Sequence, residues 1–165
     1  MIIQDTRERL PFDLSFYGFD VIRKKLDVGD YSIEGYEHIV SIDRKKSISE
    51  LACNLFEDYP RFKRELIRSQ NIQNFYIVCE FPLEFLLIYP HGSGIPRRKW
   101  PFLRATPTKL FDRVALIYRN YGTKFVFCQN RQEAEEITAQ ILQMIIDNKP
   151  LDIEYFIPPD EKNNI

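Results

Sequence analysis

The sequence holds little that would suit a secreted, membrane-bound or zinc-centred protein. Only two histidines occur in 165 residues, too few for a histidine-rich zinc site. The three cysteines (Cys53, Cys79 and Cys128) are odd in number and far apart, with no C-x-x-C pair among them. Each lies in an apolar stretch, so all three read as reduced core thiols in a reducing compartment. No apolar run reaches the length of a membrane span. The start, Met1-Ile2-Ile3-Gln4-Asp5, lacks a basic region followed by a long apolar stretch. The expectation is a soluble, non-secreted protein without a membrane partner, cytoplasmic in a bacterial, archaeal or phage setting, or nuclear in a eukaryote. Net charge is also lacking. At −1, with a pI near 6.2, the chain cannot coat nucleic acid by bulk charge. There is no internal repeat and no low-complexity linker.

What is present is a globular composition, 44% hydrophobic and 14% aromatic, at a length that fits one domain with a real core. Basic residues cluster at Arg23–Lys25, Arg44–Lys46, Arg61–Arg68 and Arg97–Lys99, while acidic ones gather near Asp30 and Asp43, at Glu133–Glu136 and in the tail. Met1 to Gln4 is a candidate first strand. Phe19 to Leu26 has strand character, and Gly29 then marks a turn. His38 to Asp43 alternates apolar and polar residues, so Asp43 is expected at a strand end.

Ser47, with Glu50 three residues on, opens a helix bearing Ile48, Leu51, Ala52 and Leu55. Asp58-Tyr59-Pro60 starts another, with Phe62, Leu66 and Ile67 as its apolar face. Asn74 to Glu80 reads as a strand buried on both faces. Phe81 to Arg104 is the least regular stretch. Thr106-Pro107 starts a helix that Gly122 stops, Lys124 to Cys128 is a further buried strand, and Asn130 caps a last helix carrying Ile137, Ile141, Met144 and Ile145. From Lys149 the chain turns polar and proline-bearing, and fraying is expected beyond Pro158. Early strands followed by strand–helix alternation predict an α/β domain with a central mixed sheet covered by helices.

Acidic residues recur at the predicted strand ends: Asp5 and Glu8, Asp30, and Asp43. Phosphodiester hydrolysis needs oxygen ligands for Mg²⁺, which favours one or two carboxylates and keeps its waters. It also needs a cation beside the attacking water and the phosphate. Residues i and i+2 of a strand share a face, so Asp43 and Lys45 reach one volume while Arg44 turns away. A hairpin between 19–26 and 38–43 would bring Asp30 to the Asp43 end.

Asp30 followed by Asp43-x-Lys45 is the pattern of the PD-(D/E)XK nucleases. The wider run sharpens it: Asp5-Thr6-Arg7-Glu8, Val28-Gly29-Asp30-Tyr31, Ile42-Asp43-Arg44-Lys45 and Ser47-Ile48-Ser49-Glu50-Leu51. It closely resembles the nuclease domain of the XPF-type structure-specific endonucleases. The likeness continues through Arg61-Phe62, Glu65-Leu66, Tyr76 to Glu80 and Thr106 to Leu142, and so covers most of the chain. Two departures stand out: Asp43 replaces the usual Glu, one methylene shorter, and the run after Lys45 is one residue longer.

The resemblance implies a restriction-endonuclease-like domain over 1–148 with a partly ordered tail over 149–165. It implies Mg²⁺ or Mn²⁺ held by Asp30 and Asp43 with support from Asp5 or Glu8. Lys45 would serve water and phosphate, with Arg44 and Arg7 assisting. It also implies DNA as substrate, at branched or single-strand/double-strand junctions. A catalytically silent DNA-binding module, or a relative acting on RNA or four-way junctions, is the alternative. Relatives often carry a tandem helix-hairpin-helix domain, and the chain ends before one would fit. A homodimer or heterodimer is further implied, and the last helix with Tyr155-Phe156-Ile157 would supply its surface.

Among the basic clusters, Arg61 and Arg64 belong to a helix surface that the likeness tilts toward DNA. Arg97, Arg98 and Lys99 either contact phosphates, with Trp100 stacking on an unpaired base, or form an exposed loop with Trp100 tucked into the core.

Overall fold

In the computed structural model, which describes residues 1–160, six strands form one mixed sheet in the order β2-β1-β3-β4-β5-β6. The strands are β1 (Ile2–Gln4), β2 (Val21–Arg23), β3 (Tyr31–Ile33), β4 (Val40–Lys45), β5 (Asn74–Cys79) and β6 (Lys124–Phe127). β1 runs parallel to β2 and antiparallel to β3, β3 is antiparallel to β4, and β4, β5 and β6 are mutually parallel. The helices are α1 (Ile48–Leu55), α2 (Tyr59–Ser69), α3 (Glu84–Leu87), α4 (Pro107–Tyr121) and α5 (Arg131–Ile146), with 3-10 turns at Leu14–Tyr17 and Arg97–Phe102.

Strand alternation splits the core in two. Phe75, Ile77, Cys79 and Phe125 pack under Leu51, Leu55, Phe62, Leu66, Leu110, Val114 and Ile117 of α1, α2 and α4. Ile42, Tyr76, Val78 and Val126 face the other way, under Ala134, Ile141 and Leu142 of α5 and Leu14 of the first 3-10 turn. The sheet is therefore covered on both sides, which is why β5 and β6 read as buried apolar runs. The helix starts are those the sequence predicts. Ser47, Thr106 and Asn130 each accept a hydrogen bond from the backbone three residues on, and Gly122 ends α4 in the left-handed region. No helix among the described residues is long and apolar enough to cross a membrane.

Several expectations are corrected. Strands 19–26 and 38–43 do not form a hairpin: β2 is short, lies at the sheet edge and pairs only with β1, while β3 is the partner of β4. β4 runs on through Lys45, so Asp43 lies inside the strand rather than at its end. Cys53 is exposed on α1, away from the buried Cys79 and Cys128, because its turn of the helix points to solvent. Ile67 is likewise half exposed.

Ile141, expected on a dimer surface, is fully buried against the sheet. Part of the tail folds back in the same way. The Phe156 N–H donates to the Phe125 carbonyl at 2.7 Å, its ring packs on Phe111 and Phe127, and Ile153 is buried. The fraying expected beyond Pro158 falls largely on residues 161–165, outside the described residues.

Gly29 shows how tightly the turn leading into β3 is fitted against β4. Its φ is +82°, and an added Cβ would lie 2.3 Å from Ser41 Oγ and 3.1 Å from the Ile42 carbonyl oxygen. Left-handed strain and overpacking both oppose a side chain there. Gly29→Ala should cost at least about 2 kcal/mol of stability in urea unfolding; a cost below about 0.5 kcal/mol would show that the turn is not constrained this way.

Candidate active site

The register of β3 and β4 builds the site. Tyr31 lies opposite Ile42 in this antiparallel pair, and their chain neighbours Asp30 and Asp43 turn to the other face, where both line one cleft. Asp30 extends the ladder on both sides. Its N–H donates to the Ile42 carbonyl and its own carbonyl accepts from the Asp5 N–H, each at 2.8 Å. Asp30 Oδ2 accepts the Arg44 N–H at 2.8 Å. Two residues after Asp43 on the same face, Lys45 Nζ lies 2.7 Å from Asp43 Oδ2 and 5.2 Å from the centre of the Phe62 ring. These groups sit in an open cleft of about 550 Å³, walled by Arg7, Glu8, Glu50, Asn54, Arg61 and Glu65.

The electrostatics follow from burial. Removal from water and the negative charge of Asp43 push the Asp30 carboxyl well above the usual carboxylate range, against the pull of the Arg44 N–H. Burial by itself would push the Lys45 ammonium down. The Asp43 carboxylate outweighs it and leaves Lys45 above its ordinary value, firmly protonated.

Arg44 is on the opposite face of β4. Its guanidinium reaches Glu8 at 3.3 Å and Glu80 at 3.6 Å, donates to the Leu10 carbonyl at 2.7 Å, and lies over the Phe12 ring. Arg131 of α5 closes this cluster, 3.2 Å from Glu80, donating to the Leu10 and Pro11 carbonyls and covering Phe12 as well. Glu8 thus reaches both the cleft and Arg44. Arg7 also lines the cleft, but its guanidinium is engaged by Asp5 and the Leu26 carbonyl.

Asp5, offered as a supporting ligand, is turned from the cleft. It is fully buried, with its oxygens taken by the Arg7 guanidinium and the Arg7 and Leu26 N–H groups. Burial disfavours its charge, yet those donors hold it below the ordinary range. Its evident work is to clamp loop to strand. Arg61 lines the cleft and pairs with Asp58 and Glu65. Arg64 is exposed outside the cleft lining, as are Arg97, Arg98 and Lys99. Trp100 is half-buried, its Nε1 donating to the Ile95 carbonyl at 2.9 Å.

Sequence reasoning missed Asn54, Glu80 and Arg131. Asn54 interrupts the apolar face of α1, one turn after Glu50, and that break in pattern is a readable signal. Its Oδ1 is buried at the cleft with no hydrogen-bond partner among the described residues. Nothing local could reveal Arg131, which meets Glu80 only through packing 51 residues away.

Residues 4–141 match the ERCC4 domain. The chain belongs to the ERCC4 domain family. Two solved structures share the fold. XPF from Aeropyrum pernix in complex with DNA is 22% identical, with a TM-score of 0.66, the alignment covering 92% of this chain and 68% of that one. XPF from Aeropyrum pernix without that description is 20% identical, also at 0.66, over 96% and 67%. No curated protein sequence matches the chain. The sheet that carries Asp30 and Asp43 thus belongs to a fold shared with the A. pernix XPF structures.

Because folding raises the Asp30 value, its contribution to stability is present below the unfolded carboxylate pKa, near 3.9, and is lost as pH rises through the folded value. Asp30→Asn should therefore raise the melting temperature by a few degrees at pH 7 in EDTA, with the gain fading toward pH 4. A melting temperature unchanged or lowered at pH 7 would contradict the burial argument.

Proposed function

We propose that this ERCC4 domain is an Mg²⁺- or Mn²⁺-dependent DNA endonuclease that hydrolyses phosphodiester bonds at branched or single-strand/double-strand junctions. The observation that carries the reading is the meeting of Asp30 and Asp43 in one open cleft, with Lys45 against Asp43. Two carboxylates held in one cleft against their own repulsion are a donor set that a divalent cation relieves, and Mg²⁺ prefers one or two such ligands with water completing its shell. The unpartnered Asn54 Oδ1 adds an oxygen donor at the same wall. No group of three or more His, Cys, Asp or Glu arranged as a metal cage occurs among the described residues; the donor set here is the sparser one that suits magnesium rather than zinc.

Asp30 and Asp43 would hold the ion, with Glu8 in support at the cleft wall. A bound divalent ion supplies Lewis-acid stabilisation of the charge that builds on the phosphate. The remaining work falls to the chain. Lys45, which keeps its proton, acts as a donor rather than as a base: it orients the attacking water and offsets charge on a non-bridging phosphate oxygen. Arg44 works from beneath the strand, tying Glu8 and Glu80 together so that Asp43 and Lys45 keep their places. Arg7 and Arg61 give the cleft mouth positive charge for the flanking phosphates. The DNA complex of the A. pernix relative supports DNA as the substrate class.

With Mg²⁺, purified protein should cut a flap or splayed fork, and EDTA should stop it. Asp43→Ala and Lys45→Ala should each lower the rate at least about a hundredfold while retaining DNA binding. Binding without cutting by the unaltered protein would identify a silent module instead. Preferential cutting of four-way junctions or of RNA would redirect the substrate.

A further inference from the structure

The stretch between β5 and α4 is long, irregular and one-sided in charge. After Glu84 it holds four basic residues (Arg97, Arg98, Lys99 and Arg104) and no acidic one before α4, in a chain whose net charge is −1. Within it, Phe102 is the most exposed large hydrophobic side chain among the described residues, at 83%. A lone aromatic turned to water is ordinary; one that follows three basic residues in a 3-10 turn on a braced platform is not.

The bracing is explicit. Trp100 donates to the Ile95 carbonyl, His91 packs edge-on against its ring at 4.7 Å, and the Arg97 guanidinium lies over it at 5.5 Å. The Trp100 ring is thus already occupied and serves as a staple. Ser93 Oγ donates to the Pro90 carbonyl and accepts from the Ile95 N–H, and Leu103 anchors in the core. In a 3-10 turn, residues three apart eclipse, so Lys99 and Phe102 share one side, both exposed.

Topology places this platform at the right end of the sheet. β4, β5 and β6 are parallel, and the Glu80 N–H donates to the Lys45 carbonyl at 2.9 Å. The chain therefore leaves β5 at the end that carries Asp43 and Lys45. Because α4 runs back to the start of β6, its first residue lies at that same end. The basic segment thus starts from and returns to the end of the sheet at which Asp43 and Lys45 lie.

We infer that Phe102, flanked by Arg97, Arg98, Lys99 and Arg104, is a stacking platform for an unpaired base on the single-stranded arm of the DNA substrate. The inference rests on the nuclease reading above for its choice of DNA. The cations neutralise backbone phosphates, and the exposed ring offers a face that any base can cover, which gives a preference for single strands without sequence reading. Duplex DNA, whose bases are already stacked, gains only the charge.

The test is binding in EDTA to a flap carrying 2-aminopurine at its first unpaired nucleotide, beside a single strand and a blunt duplex of equal length. The unaltered protein should quench the probe. Phe102→Ala should lose the quench and bind flap and single strand about 5- to 100-fold more weakly, with duplex affinity unchanged. Phe102→Trp should restore both. Equal quench and affinity for Phe102→Ala would overturn the inference, as would a loss shared equally by the duplex. So would binding to phosphatidylserine vesicles that Phe102→Ala abolishes while DNA binding stays intact. Stacking without cleavage in Mg²⁺ would remove the nuclease reading alone; cleavage with Phe102→Ala indistinguishable would remove this inference alone.

Discussion

The arrangement of the cleft depends on a repulsion. Asp30, just before β3, and Asp43 of β4 bring two carboxyl groups to one cleft, where the charge of Asp43 disfavours that of Asp30. The backbone holds them there. Asp30 is tied to β1 through the Asp5 N–H, to β4 through the Ile42 carbonyl, and through its own carboxylate to the Arg44 N–H. Asp43 is balanced by Lys45 at 2.7 Å. A site strained in this way binds positive charge more strongly than a relaxed one would, because a cation removes a penalty that is already present.

The strand's alternation then divides labour between its two faces. Asp43 and Lys45 look toward α1 and α2, where the cleft opens, while Arg44 looks toward α5. There it meets Glu8, Glu80 and, through Glu80, Arg131, with Phe12 lying under both guanidiniums. The Tyr31 hydroxyl accepts the Phe12 N–H at 2.8 Å, so the loop from Asp5 to Asp13 is pinned to the same strand that supplies Asp30. A buried charge cluster of this kind does little for net stability but fixes geometry, since each member left alone would be an uncompensated charge. Glu80 illustrates the balance: burial raises its carboxyl, and Arg44 and Arg131 oppose the rise.

The candidate site gathers at the carboxyl ends of the parallel strands. Lys45 ends β4, Glu80 follows β5, and the basic segment up to Thr106 starts and finishes there. Short loops at the opposite end leave α4 and β6 only to complete the sheet. Ligand sites collect at strand carboxyl ends in open α/β sheets for the same reason: the loops there are free of packing duties.

Much of this was legible in the chain itself. Apolar periodicity and capping residues located the helices, alternation located β4, the buried runs located β5 and β6, and the spacing of Asp30, Asp43 and Lys45 with the residues around them singled out the family. These are local properties, determined by side-chain alternation and by hydrogen bonds within a few residues. Which strand pairs with which is not local, and there the reading of a hairpin between 19–26 and 38–43 failed. β2, only three residues long, gains more by lying parallel to β1 at the edge, and β3 takes the place beside β4. Asp5 looked like a ligand until Arg7 and the Leu26 N–H claimed its oxygens. Ile141 looked like a surface until the sheet covered it. Composition and spacing determined the kinds of groups this protein has for its chemistry. Only tertiary packing decided which of them face one another, because burial and cross-strand contact depend on residues far apart in the chain.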